Sequence, residues 1–133
     1  EAVEHPPVVH ADHEALDAEG AEDPRVHRED LGVGRRAHGA GYVTWAGFAS
    51  DHFTLLQGDH HLRWFESSPG ARRGFCRTCG STMLFESRRW PGETHVALAC
   101  IDGPIDRPPQ AHAFYDTHVE WMPIDDSLQI FRG

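Results

Sequence analysis

Lysine is absent from this chain of 133 residues, so its 12 basic residues are all arginine. They face 21 acidic residues, and the net charge is −9 with histidine neutral. This balance argues against a nucleic-acid backbone or an anionic membrane as the main partner, because both select a basic surface. Apolar runs as long as a membrane span are missing as well. Only three cysteines are present, and an odd count fits a reducing cytosol better than a disulfide framework, so we expect a cytoplasmic protein.

Aromatic residues are missing from the first 34 positions, although the chain has 13 of them. Residues 1–34 hold ten acidic residues against two arginines, a net charge of −8, whereas residues 35–133 hold 11 against ten. A charged segment without aromatics buries too little apolar surface to offset its ordering entropy. The composition therefore predicts an acidic, atypical N-terminal segment over residues 1–34. Residues 35–133 form the body of a single domain, which is long enough for a core.

Short strand patterns dominate the sequence beyond residue 34. Runs of β-branched and aromatic residues end at glycine or proline, which is typical of strands and tight turns. These runs cover residues 42–45, 52–56, 61–65, 82–86, 94–100, 113–115 and 118–121. The run at 94–100 is apolar almost throughout and indicates a central strand. Helical periodicity is not sustained for three turns in any window beyond residue 34, so the pattern predicts a mainly β, antiparallel domain.

The strongest chemical signal is Cys76-Arg-Thr-Cys79-Gly80. Two thiolates separated by two residues can bind one tetrahedral Zn²⁺ ion, and the glycine lets the chain turn behind them. A thioredoxin-type redox pair is the rival reading, but it needs a helix after the motif, and Ser81-Thr82 leads into a strand pattern. Two ordinary buried cysteines are the plainest alternative. We favour a zinc knuckle at Cys76 and Cys79.

Two further ligands are needed to complete such a site. The spacing of His10 and His13 permits two nitrogen ligands to one metal ion, so we expect them as candidates, although a solvated acidic stretch would contain the same residues. Cys100 ends an apolar strand pattern, where a small buried hydrophobe is the simpler explanation.

With the knuckle placed, the sequence resembles the glutathione-dependent formaldehyde-activating enzyme family, which includes centromere protein V. The resemblance covers roughly residues 35–131. It rests on the segments Arg35-Arg-Ala-His-Gly-Ala-Gly-Tyr-Val-Thr-Trp-Ala-Gly-Phe48, Trp64-Phe-Glu-Ser-Ser-Pro-Gly70, Arg73-Gly-Phe-Cys-Arg-Thr-Cys-Gly-Ser81, His95-Val-Ala-Leu98, Pro109-Gln-Ala-His112 and Glu120-Trp-Met-Pro-Ile-Asp125. It implies a β-tent fold of small antiparallel sheets around a zinc knuckle.

The resemblance also implies two zinc sites. In the family the knuckle cysteines complete a structural site with an upstream Cys-x-Cys, and a Cys-His-Cys-x-x-Cys run before the paired arginines holds a catalytic zinc. Both upstream motifs are missing here. Counting back from Arg35 without a gap, the catalytic thiolate positions hold Glu29, Leu31 and Gly34. With three extra residues, His27 aligns with the family histidine and the thiolate positions hold Val26, Arg28 and Leu31. The missing Cys-x-Cys falls near His10 to Asp12, so His10 and His13 are expected to substitute.

The resemblance implies a carbon–sulfur lyase that acts on a small thiol adduct, such as S-hydroxymethylglutathione. Arg35 and Arg36 are the expected ligands of a glutathione carboxylate, because arginine pairs with carboxylates through two hydrogen bonds. His27, Glu29 and Asp30 form a further candidate set of nitrogen and oxygen ligands. The alternative is a catalytically inactive zinc-binding domain with a binding or structural role. The abrupt composition change fits either a diverged member of this kind or a frameshifted reading of residues 1–34.

Overall fold

Strands are the main regular secondary structure of the protein in its computed structural model, which describes residues 8–11, 25–29, 31–102, 104–123 and 127–132. Within these residues the strands are β1 (Val8–Ala11), β2 (Arg25–Glu29), β3 (Val43–Ala49), β4 (Phe53–Gln57), β5 (Leu62–Ser68), β6 (Ala71–Cys76), β7 (Thr82–Ser87), β8 (Glu93–Ala97), β9 (Ala111–Ala113) and β10 (Gln129–Ile130). The helix α1 (Gly32–His38) follows β2 directly. The mainly β prediction is confirmed.

Eight strands form one mixed sheet in the order β10-β9-β2-β3-β8-β7-β6-β5, and β1 pairs with β4 in a second sheet of two strands. β5 to β8 form an antiparallel meander, because a short turn between consecutive strands reverses the chain. β9 instead runs parallel to both β2 and β10. The expectation of small antiparallel sheets is wrong for these three strands. Their partners lie far apart in the sequence, so no hairpin dictates their direction.

Contacts divide the chain into two units. The described residues of the first unit are 8–11 and 47–96, and those of the second are 25–29, 31–46, 97–102, 104–123 and 127–132. The buried apolar residues of the first unit are Phe48, Cys76, Met83, Leu84, Phe85 and Val96. Those of the second are Val26, Val43, Trp45, Ala46 and Ala97. β2 comes from the acidic segment and pairs with β9, while the division at residue 34 stays a prediction.

Glycine places the turns that the sequence indicates. Gly70 lies between β5 and β6 with φ +77°, and Gly92 lies between β7 and β8 with φ +76°. L-residues with a side chain rarely adopt this left-handed conformation. The helix α1 ends in the same way at Gly39, whose N–H donates to the carbonyl of Arg35.

Three strand predictions differ from the structure. Of the run 113–115, only the first residue lies in a strand, at the end of β9. Residues 98–100 form a 3₁₀ turn after β8, so Cys100 is half-buried beyond the strand rather than inside it. Residues 118–121 form no strand, because the chain turns before them at Phe114 and at a 3₁₀ turn over Tyr115–Thr117. Phe114 has φ +56°, an unusual conformation for a non-glycine residue. The central position of β8 is confirmed, since β3 and β7 flank it.

Candidate functional site

The Cys76–Ser81 turn closes the end of β6 through backbone hydrogen bonds. The N–H of Gly80 donates to the carbonyl of Cys76 at 2.8 Å, and the N–H of Cys76 donates to the carbonyl of Ser81 at 2.9 Å. Gly80 has φ +80°, which the trailing glycine of the motif permits. Cys76 is buried and Cys79 is exposed. The sequence thus makes a tight turn with one thiol packed inside and one at the surface.

The two sulfur atoms share a hydrogen-bonded environment. The hydroxyl of Ser81 lies 3.2 Å from the sulfur of Cys79. Hydrogen bonds from the side chain and the backbone of Ser81 lower the pKa of the Cys79 thiol, with a smaller contribution from the side chain of Cys76. A lower pKa favours the thiolate, which is the form that binds metal ions. No disulfide links any of the three cysteines, all of which lie in the described part of the chain.

His61 anchors this turn, a role that the sequence did not reveal. Its Nδ1 lies 2.7 Å from the hydroxyl of Thr78, inside the CxxC motif, and its carbonyl accepts a hydrogen bond from the N–H of Arg77. His61 is buried although it follows a polar loop, because Leu62 next to it pairs with Cys76 in the sheet. The only sequence signal is this adjacency to the start of β5, which becomes meaningful once the β5–β6 register is known.

Of the two histidines predicted to complete the zinc knuckle, the structure describes only one. His10 lies in β1, where its backbone is opposite Thr54 of β4, and His13 lies outside the described residues. Among the residues that the structure describes, no group of three or more histidines, cysteines or acids is arranged to hold a metal ion. Cys76 and Cys79 therefore supply two ligands of the usual four, and the assignment of His10 and His13 stays a prediction.

The two arginines of α1 converge on the first residue of the helix. Nη2 of Arg35 and Nη1 of Arg36 each lie 3.3 Å from the point that a Cβ atom on Gly32 would occupy. Because both nitrogens lie 3.3 Å from the same point, they are at most twice 3.3 Å apart. Nη1 of Arg35 also donates to the carbonyl of Thr117 at 2.7 Å, which fixes that side chain. Two like charges held together favour an anion beside them.

A buried carboxylate lies beside Gly34 of the helix α1. Glu29 ends β2 and is only 2% exposed. Its Oε1 lies 2.8 Å from the point that a Cβ on Gly34 would occupy, and a methyl group of Val43 lies 3.7 Å from the same point. The structure thus brings Glu29 and Gly34 together, and the carboxylate fills the space that the missing side chain of Gly34 leaves.

Comparison with known proteins decides the family. The family described as glutathione-dependent formaldehyde-activating enzyme matches residues 33–117, more than half of the chain. The chain belongs to this family. The crystal structure of a Rhodobacter sphaeroides protein, a structural-genomics target, is similar with a TM-score of 0.52 and 27% identity. That similarity covers 61% of this chain and 72% of the other. No curated protein matches the chain.

As a member of the glutathione-dependent formaldehyde-activating family, the chain departs from it just before the matched range. The ungapped thiolate positions hold Glu29, Leu31 and Gly34, and neither leucine nor glycine has a side chain that binds zinc. The gapped alignment fits no better, because Val26 is buried and apolar and the guanidinium of Arg28 lies 5.0 Å from the ring centroid of Tyr42. The residues present do not fit a thiolate-bound catalytic zinc.

Two of the tryptophans differ in their exposure to solvent. Trp45 is fully buried in the core, whereas Trp121 is 71% exposed. Of the described residues, no helix is both long and apolar enough to cross a membrane. His27 and Glu29 lie on β2, and Asp30 lies outside the described residues, so this candidate ligand set stays a prediction.

Proposed function

We propose that the protein acts on glutathione–aldehyde adducts as a carbon–sulfur lyase-type member of its family, and that Arg35 and Arg36 bind a carboxylate of the adduct. The convergence of their two guanidinium groups over Gly32 is the observation that carries the proposal. Glutathione carries two carboxylates, and an arginine pair binds such a group with both charge and geometry. A cytosolic location suits this substrate, because glutathione keeps thiols reduced there.

The reaction class is the reversible cleavage of a hemithioacetal. The hydroxyl proton leaves, the carbon–oxygen double bond forms as the carbon–sulfur bond breaks, and the sulfur takes up a proton. No net oxidation occurs, so proton transfer is the only acid–base requirement. Among the three ungapped thiolate positions, Glu29 is the residue with a titratable side chain.

We propose a zinc ion only at the Cys76–Cys79 knuckle. We assign Cys76 and Cys79 as two ligands of a structural Zn²⁺, with His10 and His13 as the proposed partners. The tight turn at Gly80 and the lowered pKa of Cys79 support this assignment. When bound there, zinc would stabilise the fold, because metal binding free energy adds to folding free energy.

Replacement of Arg36 tests the proposal. We expect Arg36→Gln to raise the KM for S-hydroxymethylglutathione about tenfold, since it removes one charged pair from the carboxylate. Formaldehyde release is measured at several adduct concentrations, alongside the control Arg63→Gln, an exposed arginine on β5. Turnover that does not respond to Arg36→Gln would contradict the carboxylate role of the arginine pair.

A catalytically inactive zinc-binding domain is the second candidate, and Leu31 and Gly34 at the thiolate positions favour it. This candidate expects adduct cleavage no faster than the uncatalysed reaction, with zinc still bound. Zinc-dependent turnover of the adduct, lost with the metal and regained with it, would exclude the inactive domain.

A further inference from the structure

A groove of about 600 Å³ opens on the first unit, where the turn between β5 and β6 adjoins the turn between β7 and β8. Two indole rings, three acidic and two basic side chains line it: Trp64, Trp90, Glu66, Glu86, Glu93, Arg72 and Arg88. The proposed lyase function uses none of these residues.

Strand register places three of the charged side chains in one row. Glu66 is opposite Arg72, and Arg72 is opposite Glu86. Residues directly opposite each other in adjacent strands point to the same face of the sheet. Arg72 donates to Glu86 at 2.8 Å and stacks 3.9 Å above the ring of Trp64. The charges of Arg72 and Glu86 therefore neutralise each other, and the two side chains form one wall of the groove.

Of the other charged side chains that line the groove, Glu93 lies 3.8 Å from Nε2 of His95, and two of opposite sign remain, Glu66 and Arg88. Glu66 is exposed and forms no ion pair with the residues that the structure describes. Arg88 continues the β6–β7 pairing, since its N–H donates to the carbonyl of Gly70 at 2.9 Å, and its Cδ lies 3.1 Å from the Cβ position of Gly70. Its guanidinium likewise has no ion-pair partner in the described ranges.

The spacing of these charges limits the ligand. Arg88 lies two residues beyond Glu86, so its row lies about 7 Å along the strand from the row of Glu66. An anion bound beside Arg88 is repelled by the acidic side chains of the groove. A cation bound beside Glu66 is repelled by the arginines of the groove. A ligand that carries a carboxylate and an ammonium group a few ångströms apart satisfies both ends.

We propose that this groove binds the zwitterion of an α-amino acid, with its carboxylate at Arg88, its ammonium group at Glu66 and its carbon atoms between Trp64 and Trp90. Two molecules present this chemistry: a free amino acid, and the γ-glutamyl end of glutathione. The site is separate from the arginine pair at Arg35 and Arg36, so its test does not depend on the lyase activity.

The test follows the four indole N–H signals in NMR spectra of the intact protein. We expect glycine or glutathione to shift the signals of Trp64 and Trp90 and to leave those of Trp45 and Trp121 in place. N-acetylglycine and methylamine, which each keep one charge, should shift them far less. Glu66→Gln and Arg88→Gln should each weaken binding about fivefold, the upper range for a charge pair that water reaches.

Arg63→Gln is the matched control, because Arg63 lies on β5 at an odd-numbered position on the other face from Glu66. Arg36→Gln should also leave the shifts unchanged, which separates this groove from the proposed lyase site. A response to glutathione without glycine assigns the γ-glutamyl end, and the reverse assigns free amino acids. Absence of shifts with both zwitterions, equal shifts with the singly charged probes, or no effect of Glu66→Gln and Arg88→Gln would overturn the proposal.

Discussion

The turn at residues 76–81 and the segment at residues 29–36 are the two parts of the chain where the sequence resemblance implies zinc sites, and they differ in the residues that they hold. The turn retains both thiols, its trailing glycine and its closing hydrogen bonds. The segment retains the paired arginines but has Glu29, Leu31 and Gly34 in place of thiolates under the ungapped alignment. One region therefore keeps the thiols that we propose as zinc ligands, and the other keeps the arginines that we propose as ligands of a carboxylate.

Cys79→Ser should have the largest effect, because it removes one proposed zinc ligand from the turn. We expect bound zinc to fall from about one ion per chain to near zero, and the free energy of unfolding to fall by at least about 3 kcal/mol. Elemental analysis and urea denaturation measure the two quantities. Cys100→Ser is the control and should keep its zinc. Unchanged zinc content and stability in Cys79→Ser would show that the turn does not bind zinc.

Gly34→Ala tests the segment at residues 29–36 and should have the second-largest effect. The new Cβ would lie 2.8 Å from Oε1 of Glu29, which is too close for a buried pair that cannot move freely. We expect a loss of about 2 kcal/mol in the free energy of unfolding. Combining it with Glu29→Ala should recover part of that loss relative to the sum of the single changes. Strict additivity would show that Glu29 and Gly34 do not share this space.

Thr78→Val should have the smallest effect, since it removes only the hydrogen bond between the Thr78 hydroxyl and Nδ1 of His61. We expect about 1 kcal/mol of destabilisation, with Thr78→Ser close to the unaltered protein. Zinc affinity should fall in Thr78→Val if His61 holds the turn in shape for the metal. Equal zinc affinity and stability in the two variants would show that this anchor is dispensable.

Local sequence signals predicted three strands of the meander, β5, β7 and β8, whereas no predicted run covers β6. Pro69-Gly70 and Pro91-Gly92 mark turns that the structure places between consecutive strands, and residues 94–100 indicated the central strand β8. Such features depend on a few neighbouring residues, so the sequence displays them directly. β2, β9 and β10 escaped the strand analysis in whole or in part, because their short runs become strands only through partners distant in the chain.

Some residues of the candidate sites are recognisable from the sequence, and others only from the structure. Cys76 and Cys79 are recognisable from their spacing, and Arg35 and Arg36 from their position in the family motif. His61 follows a polar loop, but it is buried and forms a hydrogen bond with Thr78. Its role depends on the β5–β6 register, which places the residue before Leu62 beside the CxxC turn. Side-chain pairs of this kind have no signature in sequence spacing.

The sequence by itself determined the arginine-only basic charge, the retained CxxC motif and the loss of the upstream cysteines, because each is a matter of residue identity. Only the tertiary structure decided that Arg35 and Arg36 meet over Gly32, and that the carboxylate of Glu29 fills the space beside Gly34. It also decided that Glu66 and Arg88 share one face of a groove. Electrostatic attraction and steric exclusion act over a few ångströms. The conformation of α1 and its approach from β2 set those separations for the first two groups, and strand pairing sets them for Glu66 and Arg88, which are distant in the chain.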